Sequence, residues 1–317
     1  MSESRRYRNL IESARKTDPP YCAVAHPCDA SSLEAVVEAA RLGLFRPILL
    51  GPRARIRAVA RENGFDISDM ELISTAHSHA SAERAVECVQ SAQASLLMKG
   101  SLHTDELLHA ILKHNGGLRT ERRLSHVFVM DVPRYDELLF ITDAAVNIFP
   151  DLEIKADIVR NAIDLHLGLG LGTPRVAIVS AVEQVTSKIP NTLVAAALCK
   201  MADRGQIVGG LIDGPLALDN AISPEAARVK GIESEVAGRA QILVVPDMEA
   251  GNMLAKNLTF LAGASAAGIV LGAKVPVILA SRADSCSTKL ASCAVASLYS
   301  DYQVRRLATL TRERNDE

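Results

Sequence analysis

Three short apolar runs near the carboxyl end of the chain, residues 242–245, 269–271 and 275–280, constrain the fold more than any other feature. Each is rich in β-branched residues and too short for a core helix, so each reads as a strand. Unbroken apolar character, rather than alternation, marks strands buried on both faces, as in a parallel sheet covered by helices. The first and last runs pass directly into polar loops, Pro246-Asp247-Met248-Glu249-Ala250-Gly251-Asn252 and Ser281-Arg282-Ala283-Asp284-Ser285. Loops at the carboxyl ends of parallel strands, opening onto helix N-termini, are where open α/β sheets hold anions.

The same order of strand, loop and helix recurs upstream. Residues 21–25 predict a strand, His26-Pro27-Cys28-Asp29 a loop, and Ser31 or Ser32 the cap of a helix over 33–42. Residues 46–50 predict the next strand, and the run 94–98 leads through Lys99-Gly100-Ser101-Leu102-His103-Thr104 into a helix over 105–113. Further strands are expected at 124–130, 138–142, 175–180 and 206–212, the last ending in Asp213-Gly214-Pro215, with helices over 152–167, 191–204 and 287–310. A chain of 317 residues exceeds the size at which one core keeps growing. Two α/β domains with mostly parallel sheets are therefore expected: 1–142 together with 273–317, to which the chain returns, and 143–272. With 48% apolar residues, 3% aromatic and no Trp, both cores must be built from Ala, Val, Leu and Ile.

Several function classes drop out. A net charge of −2 with dispersed Lys and Arg favours neither nucleic acid nor an anionic membrane. The six Cys lack C-x-x-C spacing, and no His-carboxylate pattern suits a metal, so metal-free chemistry is expected. Without an apolar leader or an 18-residue apolar run, the protein is expected to be soluble and cytoplasmic. Gly168-x-Gly170 lacks the third glycine of a dinucleotide fingerprint and precedes a strand, and Ile269-Val270 stands where a phosphate loop needs Lys-Ser/Thr.

The remaining candidates each carry two readings. Ser281 and Arg282 offer a hydroxyl for a developing oxyanion and a guanidinium for a phosphate, or they merely end a strand. Asp247, Glu249 and Asn252 either line a ligand site or cap a helix. Lys99, Ser101, His103 and Thr104 form a phosphate or pyrophosphate seat, or a capped helix start beside a solvated Lys. Arg119, with Arg122 and Arg123, is a cationic rim or a solvated turn, and Asp213 is a site residue or part of a tight turn.

Four ordered stretches, IDGPLALDNAISPEAARVKG, VAGRAQILVVPD, PDMEAGNMLAK and PVILASRADS, together resemble the phosphate acetyl/butyryl transferase family. The resemblance implies reversible transfer of a short acyl group, acetyl or butyryl, between coenzyme A and inorganic phosphate. It also implies two α/β domains related to isocitrate and isopropylmalate dehydrogenases with the active site in the cleft, a homodimer, acyl-CoA as substrate and no tightly bound cofactor. Ser281 and Arg282 fall on the family's Ser-Arg pair. The position at which acetyl-type members carry their thiol base falls on Thr288, which leaves Asp284 as the nearest carboxylate. Two rival readings stand beside it: a nicotinamide-dependent dehydrogenase on the related fold, and a non-catalytic acyl-CoA-binding relative.

Overall fold

The computed structural model describes the backbone of residues 5–280 and 284–316 and side chains through 309, in two compact units, 1–122 with 267–317 and 123–266. Unit 1 opens with α1 (Arg5–Ala14), β1 (Tyr21–Ala25), α2 (Ala30–Arg41), β2 (Arg46–Gly51), α3 (Arg53–Asn63), β3 (Glu71–Ser74), α4 (Ser78–Gln90), β4 (Leu96–Lys99) and α5 (Thr104–Leu112). Unit 2 holds β5 (Ser125–Asp131), β6 (Leu139–Thr142), α6 (Leu152–Gly168), β7 (Arg175–Val179), α7 (Pro190–Asp203), β8 (Leu211–Leu216), α8 (Leu218–Ile222), α9 (Pro224–Val229), β9 (Ile242–Val244) and α10 (Met248–Phe260). The chain then returns to unit 1 through β10 (Ser265–Leu271), β11 (Val277–Ile278) and α11 (Cys286–Asp316). Among the described residues no helix is long and apolar enough to cross a membrane.

In unit 1 the strands run in the order β3-β2-β1-β4-β11-β10, parallel from β3 through β11, with β10 antiparallel to β11. The chain leaves β1 toward β2 and later returns to place β4 on the other side of β1, so the strand order reverses between β1 and β4. In open α/β sheets that reversal opens a crevice beyond the strands' carboxyl ends. Cys22 to Ala25 and Leu96 to Met98 are buried on both faces, which accounts for their unbroken apolar character.

In unit 2 the order is β5-β6-β9-β7-β8, with β6, β9, β7 and β8 parallel and β5 antiparallel to β6. Its core gathers Ile141, Ala177, Leu243 and Val245 with apolar residues of the surrounding helices. The chain crosses between units at 122/123 and 266/267, where the sequence placed the crossings at 142/143 and 272/273. Pairing accounts for the difference, since β5 and β6 bind each other and β6 binds β9, whereas β10 binds β11.

Two local readings change. Helix α2 starts a turn earlier than 33, because Asp29 rather than Ser31 or Ser32 is its N-cap, accepting from the Ser32 N–H at 2.7 Å. Asp213-Gly214-Pro215 does not terminate a strand; it lies inside β8, which ends the strand order on that side, where a proline without an N–H is tolerated.

His166 of α6 is fully buried, and its Nδ1 sits 2.9 Å from the Gly172 carbonyl, which it reaches by donating. Burial lowers its pKa to about 4. An unfolded histidine titrates near ~6.5, so the unfolded chain binds the extra proton between that pH and about 4. Stability is therefore fully present above ~6.5 and is lost as pH falls, by up to about 3 kcal/mol from this group. Denaturant unfolding from pH 7.5 to 4.5 should show this decline, and His166→Gln should make it shallower; an unchanged slope would contradict the assignment.

Candidate active site

Beyond the carboxyl ends of β1 and β4, unit 1 contains a pocket of about 650 Å³. Its lining comes from the starts of four helices: Asp29, Ala30 and Ser31 at α2, Arg55 at α3, Ser78 at α4, and His103 and Glu106 at α5, with His26, Ser101 and Leu102 between them. The convergence follows from topology, since parallel strands deliver every following helix with its amide end at the same edge of the sheet.

His26 is held in the left-handed region at φ 57, a costly conformation for a residue with a Cβ. Its carbonyl explains the position, accepting from the Cys28 N–H at 2.8 Å and from the Ser101 N–H and Oγ, each at 2.9 Å. Burial first, and the Arg55 guanidinium second, lower the pKa of His26, which favours its neutral imidazole. Its Nδ1 lies 3.0 Å from Ser81 Oγ.

Gly100 permits this close approach. A Cβ there would stand 2.5 Å from the carbonyl oxygens of both Ala25 and His26, which are backbone atoms with no freedom to retreat. Gly100→Ala should separate the β1 and β4 loops, cost about 1–3 kcal/mol and lower turnover at least tenfold. Unchanged melting temperature and kcat would contradict the packing described.

Lys99, Ser101, His103 and Thr104 all fall at this pocket or directly beside it. Lys99 is buried and its Nζ donates to the carbonyls of Gly100 and Leu102, both at 3.2 Å, so it braces the loop rather than projecting into solvent. Ser101 Oγ also accepts from the Cys28 N–H at 3.2 Å. His103 occupies the N-cap position of α5 without capping it, and Thr104 is the first residue of that helix. Arg119 is exposed on a loop of the same unit, where its backbone bridges to Ala273. Asp284 is half-buried just ahead of α11, while Ser281 and Arg282 lie outside the described residues. Ala280, the residue before Ser281, lines a narrow cleft with Asp29, Ser31, Lys99, Gly100 and Lys289.

The other candidates belong to unit 2. Asp247 caps α10, accepting from the Ala250 N–H at 2.9 Å. Glu249 is exposed in the first turn, and Asn252 donates through Nδ2 to the Ala144 carbonyl at 3.2 Å. Gly251 is buried against the loop after β6, where an added Cβ would meet the Asp143 carbonyl oxygen at 2.7 Å. Asp213 turns its Oδ1 onto the Gly214 N–H at 2.8 Å.

Sequence reasoning passed over Arg55, Ser78 and Glu106 at the pocket, Lys289 at the narrow cleft, and Lys155 in unit 2. Lys155 is buried on α6, donates to Asn191 Oδ1, and has its pKa lowered to about 8 by burial, with Asp247 pulling the other way. Arg55 had a signal, since Gly51-Pro52 ends a strand and leads into a helix in the same order as the other loops. The described cysteines are poor nucleophiles; burial pushes the Cys28 thiol beside the pocket up to about 11. Among the described residues no cluster of His, Cys, Asp and Glu could hold a metal ion.

An open α/β sheet whose carboxyl edge ends in a pocket ringed by helix N-termini is the place where proteins of this class receive a small molecule. Residues 75–297 match the model of the family described as "Phosphate acetyl/butaryl transferase". A phosphate acetyltransferase of Rhizobium meliloti is 64% identical over 294 residues, 93% of each chain. A phosphate butyryltransferase of Clostridium acetobutylicum is 41% identical over 292 residues, covering 92% of this chain and 97% of that one. The crystal structure of a branched-chain phosphotransacylase from Enterococcus faecalis V583 superposes with a TM-score of 0.77 at 31% identity, over 89% of this chain and 99% of that one. The chain belongs to the phosphate acetyl/butyryl transferase family and is an acyltransferase, not a dehydrogenase or a mere binding relative.

Proposed function

We propose that the chain moves a short acyl group between coenzyme A and inorganic phosphate through an acyl phosphate, with Ser281 and Arg282 at the reacting edge. In the direction of acyl-CoA synthesis, the thiolate attacks the acyl phosphate carbonyl, a tetrahedral oxyanion forms, and phosphate leaves as the carbonyl is restored. Ser281 donates to the oxyanion, Arg282 holds the phosphoryl oxygens in a two-point grip, and Asp284 is the nearest carboxylate to take the thiol proton. Neither a metal nor a covalent acyl-enzyme is needed, because positioning the two substrates supplies much of the acceleration.

The observation that carries this reading is the course of β11. It runs parallel to β4, with Ile278 beside Met98, so the chain reaches Ala280 at the Lys99-Gly100 loop, on the edge of the sheet where the pocket lies. In the same reading, Ser101, His103, Thr104 and Arg119 contact the phosphorylated parts of the substrates on a loop held by Lys99, and Asp213, Asp247, Glu249 and Asn252 are the substrate-binding candidates of unit 2. The enzyme acts as a cytoplasmic homodimer without a tightly bound cofactor. Exposed Met253, Phe260 and Leu261 on and after α10 supply apolar surface for a second copy.

Thiol release from acetyl-, propionyl- and butyryl-CoA, with and without phosphate, tests the reading. Release that requires phosphate is expected with at least one of the three. Release independent of phosphate, or none, would overturn it.

A further inference from the structure

Lys289 is an anomaly of unit 1. Its side chain is buried, with the residue only 4% exposed, and it sits in the first turn of α11, a helix of 31 residues whose amide end is already positive. Buried ammonium groups are ordinarily paired with a carboxylate. Lys289 is not: among the described residues its Nζ meets only the carbonyl oxygen and the hydroxyl of Ser31. Ser31 lies in the first turn of α2, a second helix presenting its positive end at the same place.

The hydroxyl of Ser31 transmits this charge. An ammonium has only donors, so Ser31 Oγ accepts from it and must direct its own proton elsewhere. Among the described residues no acceptor takes that proton, and Ser31 lines both the narrow cleft and the 650 Å³ pocket. The Arg55 guanidinium, across the same pocket, makes no hydrogen bond or ion pair among the described residues. Two carboxylates share the lining: Asp29 accepts from the Ser32 N–H at the start of α2, and Glu106 lies in the first turn of α5. A cavity that size suits a small ligand rather than water alone.

We propose that this pocket is a phosphoryl subsite in which Ser31 donates to a phosphate oxygen, Arg55 supplies the opposing charge, and Lys289 acts through Ser31 as a positioning residue. The subsite rests on the acyl-transfer reading for its place in the reaction, though not for its existence. Two sources carry the same chemistry: inorganic phosphate, and the phosphates of coenzyme A.

The test uses the full-length protein and its Ser31→Ala, Arg55→Ala, Lys289→Met and Lys289→Arg variants, with KM measured for phosphate, for acyl-CoA and for the acyl thioester of dephospho-CoA. Loss of a charge-assisted hydrogen bond should raise the relevant KM by roughly 10- to 100-fold, with a smaller change in kcat and partial recovery in Lys289→Arg. If inorganic phosphate is the occupant, only its KM rises. If coenzyme A is the occupant, the KM for acyl-CoA rises and the difference between acyl-CoA and its dephospho form shrinks. Either pattern supports the subsite. Should Lys289→Met fail to fold, Ser31→Ala and Arg55→Ala, altered at half-buried and exposed positions, still decide. Calorimetric binding of phosphate and of coenzyme A to the parent and variants separates the two claims: a parent enzyme without phosphate-dependent turnover sinks the acyl-transfer reading. Equal KM values and equal binding in parent and variants overturn the subsite.

Discussion

Arg282→Ala is expected to lower kcat for phosphate-dependent thiol release by about 100-fold or more, and Ser281→Ala by about 10²–10³-fold, with the melting temperature unchanged. The expectation follows from what each group must do. A guanidinium grips two phosphoryl oxygens in one plane, so Arg282→Lys should restore only part of the rate. A hydroxyl aimed at the developing oxyanion acts mainly in the transition state, so its removal should lower kcat with little change in KM. If Arg282→Ala turned over at the parent rate, the reacting edge would have to lie elsewhere, and the first alternative would be the Lys99 to Thr104 loop.

The second large effect concerns stability. Asp143, at the carboxyl end of β6, is 2% exposed. Its Oδ1 accepts from the N–H groups of His126, Ala145 and Val146 at 3.0 to 3.2 Å, and its Oδ2 from the N–H of Asn147 at 3.0 Å. Asn147 Nδ2 reaches the same carboxylate at 2.5 Å and donates also to the Leu124 carbonyl. One side chain therefore satisfies a whole loop, and it is the loop on which Gly251 and Asn252 of α10 pack. Asp143→Ala would strand the buried His126 N–H and several part-buried ones at once, at a cost of about 3–5 kcal/mol. Asp143→Asn should fall between parent and alanine, because its amide retains one acceptor and turns donors toward donors. Urea unfolding measures the difference; a loss below about 1 kcal/mol for the alanine variant would show that water or a moved side chain replaces the carboxylate.

Much of the sheet was legible because its strands carry unbroken apolar runs, such as Leu96-Leu97-Met98, that fit a strand buried on both faces. Strand β3 was not, since Glu71 to Ser74 is short and half exposed at the outer edge, and α3, with five charged residues in Arg53-Ala-Arg-Ile-Arg-Ala-Val-Ala-Arg-Glu-Asn63, buries only Ile56 and Ala60. The crossings between units were misplaced because strand pairing, not local pattern, assigns β5, β6 and β10. Asp213-Gly214-Pro215 has the composition of a turn, and only its place in the outermost strand β8 explains how it stays in a sheet.

The loops were the most legible part of the site, since His26 to Asp29 and Lys99 to Thr104 each follow a strand directly. Arg55 and Lys289 were harder to find because each sits inside a helix's first turn, far along the chain from the loops it joins in space. Their meaning is electrostatic and appears only when burial and partners are known. For Asp247 the structure shows a role that chemistry had already offered, the helix cap, and its use by substrate remains the proposal.

The most direct test of the central claim is stoichiometric. With saturating acetyl- or butyryl-CoA and phosphate, hydroxylamine trapping should recover one acyl phosphate for each thiol released, with the reaction reversing when acyl phosphate and coenzyme A are supplied instead. Thiol release without a matching acyl phosphate would mean hydrolysis rather than transfer, and would contradict the account.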